Sequence, residues 1–328
     1  MRPRAFRFGV LGESVRSAAE LVNAARRAEI AGYATFLIRD HFIEEPLGHQ
    51  LAPIAALATV AAATKTLRVG SLVICNDYRH PVVLAKEVAT LDVLSGGRFE
   101  LGLGAGFSRP EYEAAGLPFD PPGVRVDRFA EALQVFKGLF DAEAFTFSGR
   151  FYTVTKVDSF PKPLQRPHPP ILVGASGRRM LSIAARAANI IGIQTAAPGN
   201  PLAISNRSAG RRVGSDPSGL LAESIAEKIG WIRHEAGSRF DAIELSLVSS
   251  VVLAENRREA AERLMRQREW DGISVDRVLE MPSIFIGSVD QIAHEMQVRR
   301  ERYGISYHVV RDSGLDTLAP IVSRLAGV

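Results

Sequence analysis

Cysteine is almost absent from this chain: Cys75 is the single one among 328 residues. A lone thiol excludes an internal disulfide framework and any structural zinc site built on several thiolates. No apolar run approaches the ~18 residues of a membrane-spanning helix, so no membrane partner is expected. The basic opening stretch, residues 1–10, enters a strand-like run without the apolar region of a signal peptide. A soluble cytoplasmic protein is the expectation. Lysine is scarce as well, 6 residues against 34 arginines, although the net charge is +4 and the sequence pI near 9.4. The arginines are scattered and sit beside acids, as in Arg26-Arg27 with Glu29 and Arg257-Arg258 with Glu259. No basic tract is interleaved with aromatics, so the basic balance reads as a solvated surface and no nucleic-acid partner is expected. Metal-ligand spacing, a nucleophile elbow and a Walker motif are all missing. What is present is a 46% hydrophobic fraction, ample for a packed core and incompatible with disorder of the whole chain.

The order of apolar runs and turn signals is an alternation of strands and helices. Residues 6–10 read as a strand, 17–31 as a helix with apolar Ala18, Leu21, Val22, Ala25 and Ala28 on one face, and 35–38 as a short buried strand. Pro53 opens a helix to about Ala63, residues 67–74 form a third strand, and Pro81 starts a helix that stops at Ser95-Gly96-Gly97. A fourth strand over 98–104 precedes a long loop, 105–124, and a helix over 125–140. The rhythm breaks at an inserted hairpin and proline-rich run, 142–168, and resumes with strands at 170–173 and 190–193. A second insertion, about 195–215, is rich in Gly, Ser, Asn and Pro and reads as a mobile loop. Strands at 243–253 and 307–310, with helices from 256 and 289, complete the count. Eight short apolar strands, each coupled to a helix, predict an α/β fold of (β/α)8 barrel type, with insertions after strands 4 and 6 and the hairpin near 142–168, in a single domain over 1–328.

In such a barrel the loops after the strands' carboxyl ends carry function. Those loops hold Asp40-His41, Asn76 to His80, Ala105 to Arg109 and Gly174 to Arg179. The run Gly174-Ala175-Ser176-Gly177-Arg178-Arg179 has small residues, a following helix start and two cations, which suit a phosphate; an ordinary tight turn is the competing reading. Leu101-Gly102-Leu103-Gly104-Ala105-Gly106 fails as a dinucleotide fingerprint, because Phe107 stands where the third glycine belongs and no helix follows. Its glycines leave room either for a flat ring system or for plain strand-end packing. His41 is a candidate catalytic histidine beside Asp40. His80 reads as a cap of the helix starting at Pro81, and Cys75 as a small buried residue.

Several of these segments coincide with one family. AEIAGYATFLIRDHF, RHPVVLAKEVATLDVLSGGRFELGLGAG, PPILVGASGRRMLSIAARAA and FIGSVDQIAHEM follow in order over almost the whole chain. In these stretches the chain resembles the luciferase-like monooxygenase superfamily, and within it the branch of oxidoreductases that use the deazaflavin coenzyme F420. The resemblance implies a barrel holding a flat cofactor at its carboxyl-end mouth. By it, Asp40 contacts the ring system and His41 stands beside the reacting carbon as the catalytic residue. Leu72-Val73 falls where such proteins carry a non-prolyl cis peptide in a bulge behind the ring. Asn76, Ala105 and Gly106 take cofactor-binding positions, and Gly174, Ala175, Ser176 and Gly177 take the phosphate loop. The sugar-phosphate dehydrogenases of the branch carry a catalytic Glu where this chain has Phe107; an apolar ring donates no proton, which argues against that substrate class. Asn189 also departs from an Asp common among relatives. Phe107 and Tyr78 are expected to contact a fairly apolar small-molecule substrate, with residues 107–123 and 195–215 covering it. The resemblance thus implies hydride transfer between F420 and an organic substrate. The alternative is a monooxygenase using reduced FMN and O2; a barrel that binds the cofactor without turnover is a third reading. A homodimer is expected by the same resemblance.

Overall fold

The computed structural model describes residues 4–44, 48–141, 143–195 and 216–328. Eight parallel strands run through it in chain order: β1 (Arg7–Leu11), β2 (Thr35–Ile38), β3 (Arg68–Ser71), β4 (Phe99–Gly104), β5 (Ile171–Ala175), β6 (Ile190–Ile193), β7 (Glu244–Val248) and β8 (Ile305–Arg311). β1 pairs with both β2 and β8, each further strand pairs with its neighbour in sequence, and β3 pairs with β4, so the sheet closes into a barrel. Each strand feeds one outer helix: α1 (Ala18–Ile30), α2 (Pro53–Ala63), α3 (Pro81–Leu94), α4 (Pro122–Asp141), α5 (Arg178–Ala187), α6 (Ala222–Ala236), α7 (Val289–Tyr303) and α8 (Leu315–Leu325).

The helix starts follow local chemistry. The Ser17 hydroxyl accepts from the Glu20 N–H at the head of α1, and Ser288 with Gln291 forms a reciprocal capping box on α7. His80 caps α3 by accepting the Val82 N–H at 3.3 Å, the role its place before Pro81 suggests. α7 ends on Gly304 at φ 74°, a left-handed position that favours glycine.

Side chains alternate across the barrel wall. Leu11, Leu37, Leu72, Leu172, Ile190, Tyr307 and Val309 pack with one another, while Phe8, Val10, Phe36 and Val310 join the larger layer against the helices. At the amino end of the strands the barrel is plugged by charge. Arg7 pairs with Glu100 and with Glu244 (2.6 Å), Arg68 pairs with the same Glu100 oxygen at 2.6 Å, and the Arg7 guanidinium lies 4.4 Å from the Tyr307 ring centroid.

Several boundaries differ from the sequence reading, each for a visible reason. The third strand is not continuous over 67–74: it halts at a cis Leu72-Val73 peptide and resumes as Ile74–Cys75 beside β4. The run 243–253 is two strands, because the chain turns away at Ser249 and Ser250–Leu253 pairs with Ile284–Gly287 in a separate parallel pair. These two, with the helices Arg257–Arg268 and Val275–Leu279, form an insertion between β7 and α7 around its own apolar cluster. The stretch 105–124 contains a short helix, Arg109–Ala114, and the chain closes with α8. The hairpin is Phe145–Ser148 against Thr153–Val157. Of the second expected insertion, residues 196–215 lie outside the described residues. Among the described residues no helix is long and apolar enough to cross a membrane, and no group of His, Cys, Asp and Glu is placed to hold a metal.

Candidate active site

The carboxyl ends of β2 to β7 surround a cavity. The bulge at Leu72-Val73 forms one side, the turn Gly104 to Ser108 another, and Gly174 to Gly177 with Met180 a third. Arg39, Asp40 and His41 complete the wall with Tyr78, Glu111, Gln194 and Val248. Every cofactor and substrate position named from the sequence lies on this wall except Asn76. Its amide is buried and donates to the Tyr152 hydroxyl at 3.2 Å and to Asp77 at 3.3 Å. The side chain braces the outer layer and is not part of the cavity wall.

The glycines of the β4 turn serve the protein's own packing. A Cβ on Gly102 would collide with the Ser71 carbonyl, and one on Gly104 would stand 2.8 Å from Val73 Cγ2. Gly106 has φ 77° and faces the Tyr112 hydroxyl closely enough to exclude any side chain. Strand-end packing thus uses all three, Gly102 against Ser71, Gly104 against Val73 and Gly106 against Tyr112, while Gly104 and Gly106 also line the cavity. Gly177 differs, since a Cβ there would meet nothing within 4 Å.

Asp40 is already engaged. Arg79 grips both its oxygens, at 2.5 and 3.1 Å, and the Cys75 N–H donates to Oδ2 at 3.1 Å. The carboxylate thereby ties the loop after β2 to the chain beyond the bulge. Cys75 is buried, and burial pushes its thiol up to about 12, so it is no nucleophile near neutral pH.

His41 has a partner that the sequence reading missed. Its Nδ1 stands 2.8 Å from Glu111 Oε2, and the other carboxylate oxygen accepts the Phe42 N–H at 2.6 Å. The Tyr78 hydroxyl lies 3.4 Å from Glu111 Oε2. Glu111 is 1% exposed. Burial alone would raise its carboxyl, but the His41 bond and charge, the Phe42 N–H and the Ser108 hydroxyl outweigh it and hold it below the ordinary carboxylate value. The Phe107 ring meets the His41 ring edge-on at 5.8 Å. The signal for Glu111 lay in Ser108-Arg109-Pro110-Glu111: the S-x-x-E spacing and a first-turn proline mark a helix start inside what reads as loop.

A family model described as luciferase-like monooxygenase matches residues 5–321. The chain belongs to that family. Its relatives divide by cofactor. An F420-dependent hydroxymycolic acid dehydrogenase of Mycobacterium tuberculosis is 34% identical over 169 residues, 51% of this chain and 46% of the relative. An FMNH2-dependent dimethylsulfone monooxygenase of Pseudomonas putida is 35% identical over 125 residues, 38% of this chain and 34% of the relative. The matches to curated relatives thus span about a third to 61% of those proteins' length. Among solved structures, an F420-dependent secondary alcohol dehydrogenase in complex with an F420-acetone adduct superposes with a TM-score of 0.74 at 19% identity, covering 98% of this chain and 99% of that one. A monooxygenase from Streptomyces bottropensis gives 0.71 at 22% identity, covering 97% of each. Members of the family that are similar to this chain therefore include F420-dependent and FMN-dependent enzymes, and the structural likeness establishes the luciferase-like barrel.

Proposed function

We propose that this protein is an oxidoreductase that holds the deazaflavin F420 in the carboxyl-end cavity and acts on a small, largely apolar organic substrate. The observation that carries the proposal is the buried His41–Glu111 pair at a cavity whose other walls are the Leu72-Val73 bulge and the Gly174–Gly177 loop.

The residues present suit such a group. The bulge offers an apolar surface through Leu72 and Val73 against which a flat ring can lie. Gly177 caps α5 without a side-chain bond from any described residue, which leaves the first-turn amides of that helix to an anion, next to the Ser176 hydroxyl. Arg178 at the same turn is exposed and makes no ion pair among the described residues, whereas Arg179 is held by Asp127. When bound, the deazaflavin supplies a two-electron hydride acceptor or donor. The chain's own contribution is position and proton management. His41 takes up or returns a proton beside the substrate, Glu111 holds its ring in place at 2.8 Å, and Leu72, Val73, Phe107, Met180 and Val248 exclude water from the reacting face. Phe107 supports an apolar substrate over a sugar phosphate, since it places a ring against His41 where a proton donor would otherwise stand.

The second reading, reduced FMN with O2, draws on the 35% identity to the dimethylsulfone monooxygenase. Titrating the purified protein with oxidised F420, oxidised FMN and reduced FMN, with quenching of its tryptophan fluorescence as the signal, separates the two. Tight binding of F420 alone supports hydride transfer. Preference for reduced FMN moves the protein to the oxygen-using reading, and binding of neither removes both.

A further inference from the structure

We infer that Glu111 is a positioning residue that keeps the His41 proton on Nδ1, so that Nε2 meets the cavity with its lone pair free. The inference rests on the proposed role of His41 for its catalytic consequence, but its structural content stands without any cofactor.

An imidazole's tautomer is set by the hydrogen bond that the other ring nitrogen makes. Here Nδ1 lies 2.8 Å from a carboxylate oxygen, and an ionised carboxylate only accepts. The proton between them therefore belongs to Nδ1. Nε2 has no partner among the described residues, and the ring lines the cavity. Glu111 cannot rotate away to serve another group, because its second oxygen is fixed by the Phe42 N–H at 2.6 Å, the residue next to His41 itself. Both ends of the carboxylate thus grip the same short segment: one holds the backbone and the other the ring. The Phe107 ring packs edge-on against the same imidazole at 5.8 Å.

The arrangement makes an isosteric change informative. In Glu111→Gln the side-chain oxygen must face the Phe42 N–H, since two donors cannot meet there. The amide NH2 then faces His41 Nδ1 and donates to it, which drives the proton to Nε2. The substitution keeps the shape and inverts the tautomer.

The experiment is 15N spectroscopy of the imidazoles in the cofactor-free protein, with His41→Gln identifying the signal. For the parent protein the expected spectrum has His41 protonated on Nδ1 and bare at Nε2, and for Glu111→Gln the reverse. Turnover in Glu111→Gln should fall on the order of 10²–10⁴-fold, the size of a lost acid–base contribution, with cofactor affinity nearly unchanged. A parent spectrum with the proton on Nε2 overturns the inference, and so does a Glu111→Gln protein that keeps the parent tautomer or the parent turnover. If that variant does not fold, the parent spectrum alone decides. Failure of the cofactor titration would remove the proposed function and leave the tautomer result intact.

Discussion

The two mouths of the barrel are built from the same kinds of side chain and reach opposite outcomes. At the amino end, Arg7 and Arg68 meet Glu100 and Glu244, and each guanidinium has a carboxylate against it. At the carboxyl end, Arg79 and His41 meet Asp40 and Glu111, also paired, yet among the described residues Nε2 of His41 and the hydroxyl of Ser176 have no partner, and no side chain caps the start of α5. The lower cluster sets both arginines on one oxygen of Glu100, leaves the other buried oxygen without a partner among the described residues, and plugs the barrel. The upper one uses carboxylates as anchors for groups that still have something to offer. The contrast matches the general division of labour in such barrels, in which one face holds the fold and the other carries chemistry.

The largest expected effect comes from breaking the upper mouth alone. His41→Ala removes the only imidazole among the described residues that line the cavity, and turnover should fall by roughly 10²–10⁴-fold, with cofactor affinity changed little. Glu111 retains the Phe42 N–H and its hydroxyl neighbours, so the thermal midpoint should shift by only a few degrees. Steady-state kinetics beside a binding titration check this. Equal losses in turnover and affinity would make His41 a binding residue and erase the distinction between anchor and acting group.

Breaking the lower mouth should do the reverse. Glu100 is 1% exposed and serves two arginines, so Glu100→Ala leaves Arg7 with Glu244 as its one carboxylate and Arg68 with none, held only by the Gln165 side chain and the Phe99 carbonyl. Burial already raises the Glu244 carboxyl, with Arg7 pulling the other way, so it is a poor substitute for the lost charge. The expected cost is about 3 kcal/mol, at the low end for a broken buried pair because Arg7 and Arg68 keep 26% and 28% of their side-chain surface in water. Urea unfolding measures it. Turnover per folded molecule should not change; a loss of turnover without a loss of stability would show that the two ends are not separable.

How far this contrast could be read from sequence follows from what each end is made of. The barrel was legible because buried strands and amphipathic helices leave periodic traces: 35–38, 53–63 and 190–193 were placed at their observed limits. The cis Leu72-Val73 peptide was placed too, by resemblance rather than by any local propensity. The reading failed where an apolar run continues although the chain changes partner, as at Ser249, and where a short helix sits inside a loop, as at Arg109–Ala114. Glu111 was lost with that helix. Its importance is a contact across 70 residues, and no spacing rule reports that Glu111 and His41 meet. Asn76 shows the opposite limit: it lies three residues beyond the bulge, yet its side-chain amide donates to Tyr152 and Asp77 and does not join the cavity wall.

The smallest effect sharpens the comparison by asking which end gives the fold its acid sensitivity. Glu29, near the end of α1, accepts the N–H groups of Lys65, Thr66 and Leu67 just before β3, on the amino-end side of the barrel. Burial acts to raise its carboxyl, but these three bonds and the Thr66 hydroxyl outweigh it and bring it down to about 2. A carboxyl depressed in the folded state contributes stability that is complete above its unfolded value, near 4.5, and is lost as the pH falls through about 2. Glu29→Gln should therefore lower the urea midpoint modestly at pH 6 and flatten its decline between about pH 4.5 and 2. The side chain is partly exposed, so solvent screening keeps the change small. Identical slopes for parent and variant in that window would mean that the Lys65–Leu67 turn is held by its backbone alone, and that the acid sensitivity belongs to the carboxylates inside the barrel mouths.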